Sequence, residues 1–278
     1  MRVIKRAQLD IKKWDYAVEN KSLLPYSYHQ FLDAVTSQNW SALIWDDYEA
    51  ILPFYTKKKW GWIPYVCMPP FTQQFSIDSL TLDQKKEALA YFKKNFFKVD
   101  INTSSPLSTE VHPRYNYELK LDKSYKEIKE NYNSLLKKNL LKFEDVIIEK
   151  TAFELEYLQF YFENPFYSQA IKNNRSFFFD CLMQMGDSVN YYKATYEDEI
   201  IALLITYQSP EREFLLMPIS TDIGKKYQAM SFLIDFVIQH TTSKIIDFEG
   251  SSIPNIAYFY EQFGAEKTIY YYNAIRFL

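Results

Sequence analysis

The chain has 278 residues, 47% of them hydrophobic and 24% charged, with a formal net charge of −3. That length is one large domain or two ordinary ones, and 24 Tyr, 22 Phe and 5 Trp exclude a disordered chain, which lacks aromatics. The acidic balance argues against a nucleic-acid binder that depends on overall basicity.

Helical spacing appears first over residues 8–20 and 27–36, the second opening with Ser27 and Gln30 placed as a capping box. The segment 40–70 then reads as consecutive strands that turn near Lys57–Lys59 and Gly61. A helix follows, with Thr81 and Gln84 as a second capping box and Leu82, Leu89, Phe92 and Phe96 as its apolar stripe. After the strand FKVDI, the polar segment NTSSPLSTEVHPRYN is the best linker or long-loop candidate, and the strand YELKL comes next. Ser124 and Glu127 predict the start of a helix whose face carries Tyr125, Ile128, Tyr132, Leu135, Leu136, Leu140 and Phe143. The strand VIIEK, a helix capped by Thr151 and Glu154, and a helix ending at Gly186 complete the middle of the chain. Residues 190–278 read as three strands, a helix from about Lys225 to Gln239, the strand KIIDFEG, a helix over IPNIAYFYEQF and the strand TIYYYNAIRF.

The turn STDIGKKYQA from Ser220 lies between a strand and a helix, where exposed N–H groups and the helix dipole bind a diphosphate and a glycine lets backbone approach the anion. The helix NIAYFYEQFGA from Asn255 places Tyr260 four residues before Gly264. These features and the β-β-β-α-β-α-β order resemble the GNAT N-acyltransferase fold. The segments WSALIWDDY from Trp40, LPFYTKKKWG from Leu52, PPFTQQF from Pro69, the Tyr125–Phe143 helix and IDFEGS from Ile246 resemble its FemAB-like branch, built from two GNAT-like halves.

The resemblance implies an α+β fold of tandem GNAT-like domains, with mixed, mostly antiparallel sheets flanked by helices, divided into residues 1–122 and 123–278. It implies an N-acyltransferase that uses acetyl-coenzyme A or another acyl-coenzyme A, with a small-molecule or peptide amine as acceptor. A FemAB-type transferase that takes its aminoacyl group from tRNA is the alternative, and a non-catalytic member is a third. In the family pattern Q/R-x-x-G-x-G/A, Gly224 matches, while Thr221 and Lys226 stand at the other places. The donor site implied is Ile219, Thr221, Gly224, Lys225, Lys226, Gln228, Ala229 and Asn255, and Tyr260 takes the place of the family tyrosine that protonates the departing thiolate. Gly224 as an ordinary turn residue and Tyr260 as a core tyrosine are the plain alternatives.

The residues themselves offer further chemistry. Period 2 along Lys244–Gly250 puts Asp247 and Glu249 on one face at a strand's C-terminal end, with Ser251 close behind. A carboxylate there could deprotonate or hold an attacking amine, with Glu249 first and Asp247 second; the alternative is that Asp247 pairs with a lysine and Glu249 caps a turn. Pro218 cannot donate to a ladder and so marks a candidate splay in its strand. Gln73 and Gln74, between aromatics, are candidate substrate-binding groups. Lys57, Lys58 and Lys59 beside Trp60 and Trp62 fit either a solvated turn or a nucleic-acid contact.

Cys67 and Cys181 cannot build a disulfide framework or a Cys-rich zinc site, and His29, His112 and His240 lie far apart, so no metal is expected. No run of 18 apolar residues occurs, which predicts a cytoplasmic protein with no membrane partner, as a monomer or homodimer.

Overall fold

The computed structural model describes residues 1–21, 23–142, 145–163 and 175–276. The chain divides into two compact units, one of Met1–Arg114 with Ile269–Leu278 and the other of Tyr115–Thr268.

In the first unit, β1 (Arg2–Lys5), β2 (Trp40–Trp45), β3 (Ala50–Lys59), β4 (Ile63–Cys67) and β5 (Lys98–Thr103) lie side by side in chain order. The last strand, β12 (Glu266–Arg276), pairs antiparallel with β5 through Tyr271–Arg276. All these pairs are antiparallel except β4 with β5. The helices are α1 (Ile11–Asn20), α2 (His29–Thr36) and α3 (Leu82–Asn95). Their apolar faces close a core around Trp14, whose ring centroid is 5.0 Å from that of Trp40.

One expectation holds in detail and three fail. Thr81 and Gln84 form the reciprocal cap of α3, but Leu82 is 76% exposed and outside the apolar stripe. Ser27 and Gln30 do not cap α2. Ser27 sits in a 3-10 turn, Pro25–Ser27, and the α2 N-cap is Tyr28, which has no capping side chain. Asp15 of α1 serves instead, its Oδ1 accepting from the His29 N–H at 3.3 Å. Lys57–Lys59 belong to β3 rather than the turn, which is Trp60–Trp62.

In the second unit, the strand order is β6 (His112–Lys120), β11 (Ile245–Asp247), β10 (Arg212–Ser220), β9 (Glu199–Gln208), β8 (Val189–Tyr196) and β7 (Ile147–Thr151). β8, β9 and β10 form the expected antiparallel meander, and β10 and β11 run parallel. The helices are α4 (Tyr125–Glu130), α5 (Ser134–Leu140), α6 (Leu155–Glu163), α7 (Arg175–Met185), α8 (Asp222–Lys226), α9 (Ala229–His240) and α10 (Pro254–Glu261). Leu233, Ile234 and Val237 of α9 pack on Ala194, Leu204 and Leu215 in this unit's core.

Both long helices expected here are broken. Ser124 and Glu127 cap α4, but Asn133 starts α5 afresh by accepting from the Leu136 N–H at 2.8 Å. Leu135 of the proposed stripe is 46% exposed, and Phe143 lies outside the described residues. The predicted Lys225–Gln239 helix is α8 and α9, separated at Gln228, whose φ is +56°. That left-handed step turns the chain, and Tyr227 before it lies 4.3 Å from Tyr196, ring to ring.

Candidate functional site

The site is built where β10 leaves the meander of the second unit. The Thr221 N–H donates to the Ile201 carbonyl at 2.9 Å, and the Thr221 Oγ1 accepts from the Gly224 N–H at 3.0 Å. A Cβ on Gly224 would lie 2.1 Å from the Ile201 carbonyl oxygen. The glycine is therefore demanded by packing against β9, and Thr221 by the cap of α8.

After the Gln228 turn, α9 begins with no side chain capping it. Its start opens on a cleft of about 160 Å³ lined by Ser220, Gly224, Lys225, Gln228, Met230, Ser231 and Phe259. An uncapped helix start presents N–H groups and the positive end of the dipole to whatever occupies the space. Three of the expected donor residues, Gly224, Lys225 and Gln228, line this cleft. Ile219 and Ala229 are buried in the strand and helix that frame it. Lys226 is exposed, with its ammonium 5.7 Å from the centre of the Tyr227 ring, and Asn255 is exposed in the first turn of α10. Ser220, Met230, Ser231 and Phe259 were not anticipated. Ser220 opens the predicted turn and Met230 and Ser231 directly follow it, so all three were within reach, whereas nothing local marks Phe259.

Asp247 occupies a second, fully buried position. Its Oδ1 accepts from Asn116 Nδ2 at 3.0 Å and from the Glu249 N–H at 2.9 Å, and its Oδ2 accepts from Arg212 at 3.0 Å. The same guanidinium reaches Glu118 at 3.0 Å. Burial pushes the Asp247 carboxyl up to about 6; the Arg212 charge opposes this and Glu118 adds to it. Its ionic partner is thus an arginine rather than a lysine. Asn116, Glu118 and Arg212 were missed, because their distance along the chain leaves no spacing to read.

β11 ends at Asp247, so period-2 alternation does not carry on to Glu249. Glu249 has φ +56° and Gly250 φ +69°, and a Cβ on Gly250 would lie 2.3 Å from the Tyr115 carbonyl oxygen. The chain turns at Glu249, and Ser251 Oγ accepts from the Ile253 N–H at 2.9 Å just before α10. Tyr260 of α10 is 8% exposed, with its ring 4.7 Å from that of Phe248. Burial, and next the nearby Glu249 charge, push its hydroxyl up to about 12, so it stays protonated at neutral pH. β10 and β11 pair over Arg212–Phe214 and Ile245–Asp247, and the pairing of β10 with β9 shifts register between Phe214 and Met217. The irregularity in β10 thus precedes Pro218, which itself remains in register with Leu204.

Gln73 and Gln74 belong to the first unit. Both are buried; Gln74 Nε2 donates to Gln73 Oε1 at 3.0 Å, and Asn102 Nδ2 donates to the Gln73 carbonyl at 2.6 Å. Burial pushes the Cys67 thiol up to about 11 and the Cys181 thiol up to about 12, which leaves neither as a ready thiolate.

No family model and no curated protein matches the sequence. Solved structures do match it. FemX superposes with a TM-score of 0.64 over 98% of this chain and 97% of its own, at 10% identity. The chain has the fold of FemX. That fold is α+β, as the sequence resemblance implied. A conserved protein of unknown function from Bacteroides thetaiotaomicron has a TM-score of 0.59 at 9% identity, over 96% of this chain and 98% of its own. The C-terminal domain of a putative lysylphosphatidylglycerol synthetase from Agrobacterium fabrum has 0.56 at 8% identity, over 96% and 92%. The FemX-like fold therefore spans nearly the whole chain.

Proposed function

We propose that the protein is an N-acyltransferase that passes an acyl group from acyl-coenzyme A to an amine. The observation that carries this reading is the uncapped start of α9 opening on the cleft beside Lys225 and Ser231. Helix N–H groups and an adjacent lysine suit the diphosphate of the donor. Acyl-coenzyme A would supply the thioester carbonyl, with the coenzyme A thiolate as leaving group. Glu249 first takes one proton from the acceptor ammonium and frees its lone pair; the neutral amine nitrogen then bonds to the carbonyl carbon, and its second proton is released to solvent. As the carbon–sulfur bond breaks, Tyr260, still protonated at neutral pH, gives its proton to the departing sulfur. Asp247 accepts the Glu249 N–H and so positions that turn.

A second reading replaces the thioester with an aminoacyl-tRNA ester. The likeness to FemX over 98% of the chain favours it, since the FemAB-like branch includes enzymes that use that donor.

Melting the protein with acetyl-coenzyme A, free coenzyme A or charged tRNA distinguishes the two. A ligand at a hundred times its Kd adds about 2.7 kcal/mol, or roughly 5–11 °C at about 2–4 °C per kcal/mol for a chain of this size. A coenzyme shift abolished by Lys225→Glu is the expected result. A shift with tRNA alone overturns the donor assignment in favour of the second reading. Once an acceptor is found, Glu249→Gln is expected to slow transfer about 10²–10⁴-fold, the range for losing a general base, and unchanged transfer would remove Glu249 from the mechanism.

A further inference from the structure

The hairpin of β3 and β4 carries an unusual tip. Lys59 pairs with Ile63, and Trp60, Gly61 and Trp62 make the turn between them. Trp60 and Trp62 are 73% and 71% exposed, whereas Trp14, Trp40 and Trp45 are no more than 4% exposed. Trp60 also has φ +53°, a region that bulky residues rarely adopt. An exposed tryptophan held in a strained conformation gains nothing from folding, which points to a role outside the chain.

The charge around the tip is one-sided. Lys57, Lys58 and Lys59 are exposed, and Tyr55–Cys67 contains no acidic residue, in a chain whose net charge is −3. Lys98, on the neighbouring strand, is already neutralised by Asp100. Strand alternation places Lys57 and Lys59 on one face of the hairpin and Lys58 on the other. Positive charge thus flanks the two indoles on both sides.

We propose that this tip is a contact point for an anionic lipid bilayer, with Trp60 and Trp62 seated at headgroup depth and the three lysines against the lipid phosphates. Indoles prefer that interface, and lysines beside it are drawn to anionic lipid. No helix among the described residues is long and apolar enough to cross a membrane, so the contact is peripheral. A single nucleic-acid strand is the competing occupant, and two observations count against it. The Lys59 ammonium lies 4.4 Å from the centre of the Trp60 ring, covering a face that a base would need for stacking. Lysines on both hairpin faces also do not form the single charged groove that a strand follows. The inference does not depend on the transferase reading.

The test uses the full chain with vesicles of equal parts phosphatidylglycerol and phosphatidylcholine, against vesicles of phosphatidylcholine alone. Flotation with the anionic vesicles at low salt is expected, with a blue shift of tryptophan emission. The other three tryptophans are already buried, so that shift reports Trp60 and Trp62. The double variant W60S/W62S should lose both flotation and shift. K57Q/K58Q/K59Q should lower partitioning roughly a hundredfold, at about fivefold per lysine. All these side chains are exposed, and an unchanged melting temperature confirms that the variants fold. Failure to float with anionic vesicles, or flotation that survives W60S/W62S, overturns the proposal. So does tighter binding of a single-stranded oligonucleotide at the same salt with quenching of the same two tryptophans.

Discussion

Asp247 and Glu249 stand two residues apart, and that spacing alone marked them as a pair to consider. Their surroundings then separate them. Asp247 is 1% exposed and held by Asn116, Arg212 and the Glu249 N–H, so it acts on the site through the turn it fixes. Its carboxyl is raised to about 6, which means that the native state binds its proton more tightly than the unfolded chain does. That contribution to stability is complete below about pH 4 and is lost as pH rises through about 6. The stability of wild type relative to Asp247→Asn should therefore fall by about 3 kcal/mol between pH 4 and 7, at about 1.4 kcal/mol per unit. Urea unfolding of both proteins across that range measures it, and a difference that stays flat with pH would place Asp247 at an ordinary carboxylate value. Gly224 shows the same limit of a local reading. A glycine before a helix was visible as a candidate phosphate loop, but the Ile201 carbonyl that excludes a side chain there belongs to β9.

Caps formed within one turn were legible, because donor and acceptor lie three residues apart. Thr81 with Gln84 and Ser124 with Glu127 both close reciprocally. Ser27 and Gln30 have the same spacing and fail, because Ser27 is drawn into the core at 0% exposure and its Oγ finds no partner among the described residues. Asp15 reaches across from α1 to accept the His29 N–H, and its other oxygen lies 2.5 Å from His29 Nδ1. Asp15→Ala should thus destabilise by about 1 kcal/mol, the usual loss for a helix cap. Ser27→Ala should be neutral or slightly stabilising, since it removes a buried hydroxyl that makes no hydrogen bond. Chemical denaturation read by tryptophan emission tests the pair. A larger loss for Ser27→Ala than for Asp15→Ala would restore the capping box. The Gln228 break had no comparable signal, since the residues around it are ordinary helix formers.

All five tryptophans lie in the unit formed by Met1–Arg114 and Ile269–Leu278, so their emission follows that unit alone. The unit depends on the end of the chain. Asn273 of β12 is fully buried, donates to Thr103 Oγ1 at 2.9 Å and to the Ile101 carbonyl at 3.3 Å, and accepts from the Leu107 N–H at 3.1 Å. Asn273→Ala removes these bonds and takes the acceptor from the Leu107 N–H, although Thr103 Oγ1 keeps its bond to the Ser105 carbonyl, and should lower the tryptophan-detected stability by about 2 kcal/mol; an unchanged midpoint would show that the Asn273 side chain is dispensable to this unit. The meander of the second unit and the helices and strands that follow it were readable from periodicity, because alternation and helical spacing are properties of neighbouring residues, whereas the α+β class came with the family resemblance. The aromatic content alone established that the chain folds, since it supplies the apolar surface a core needs. Which residues complete the polar groups inside the fold was settled by packing: Arg212 for Asp247, Asp15 for the His29 N–H and Leu107 for Asn273. A buried donor or acceptor must find a partner, and it takes whichever group the fold brings within 3 Å or so, from any distance along the chain.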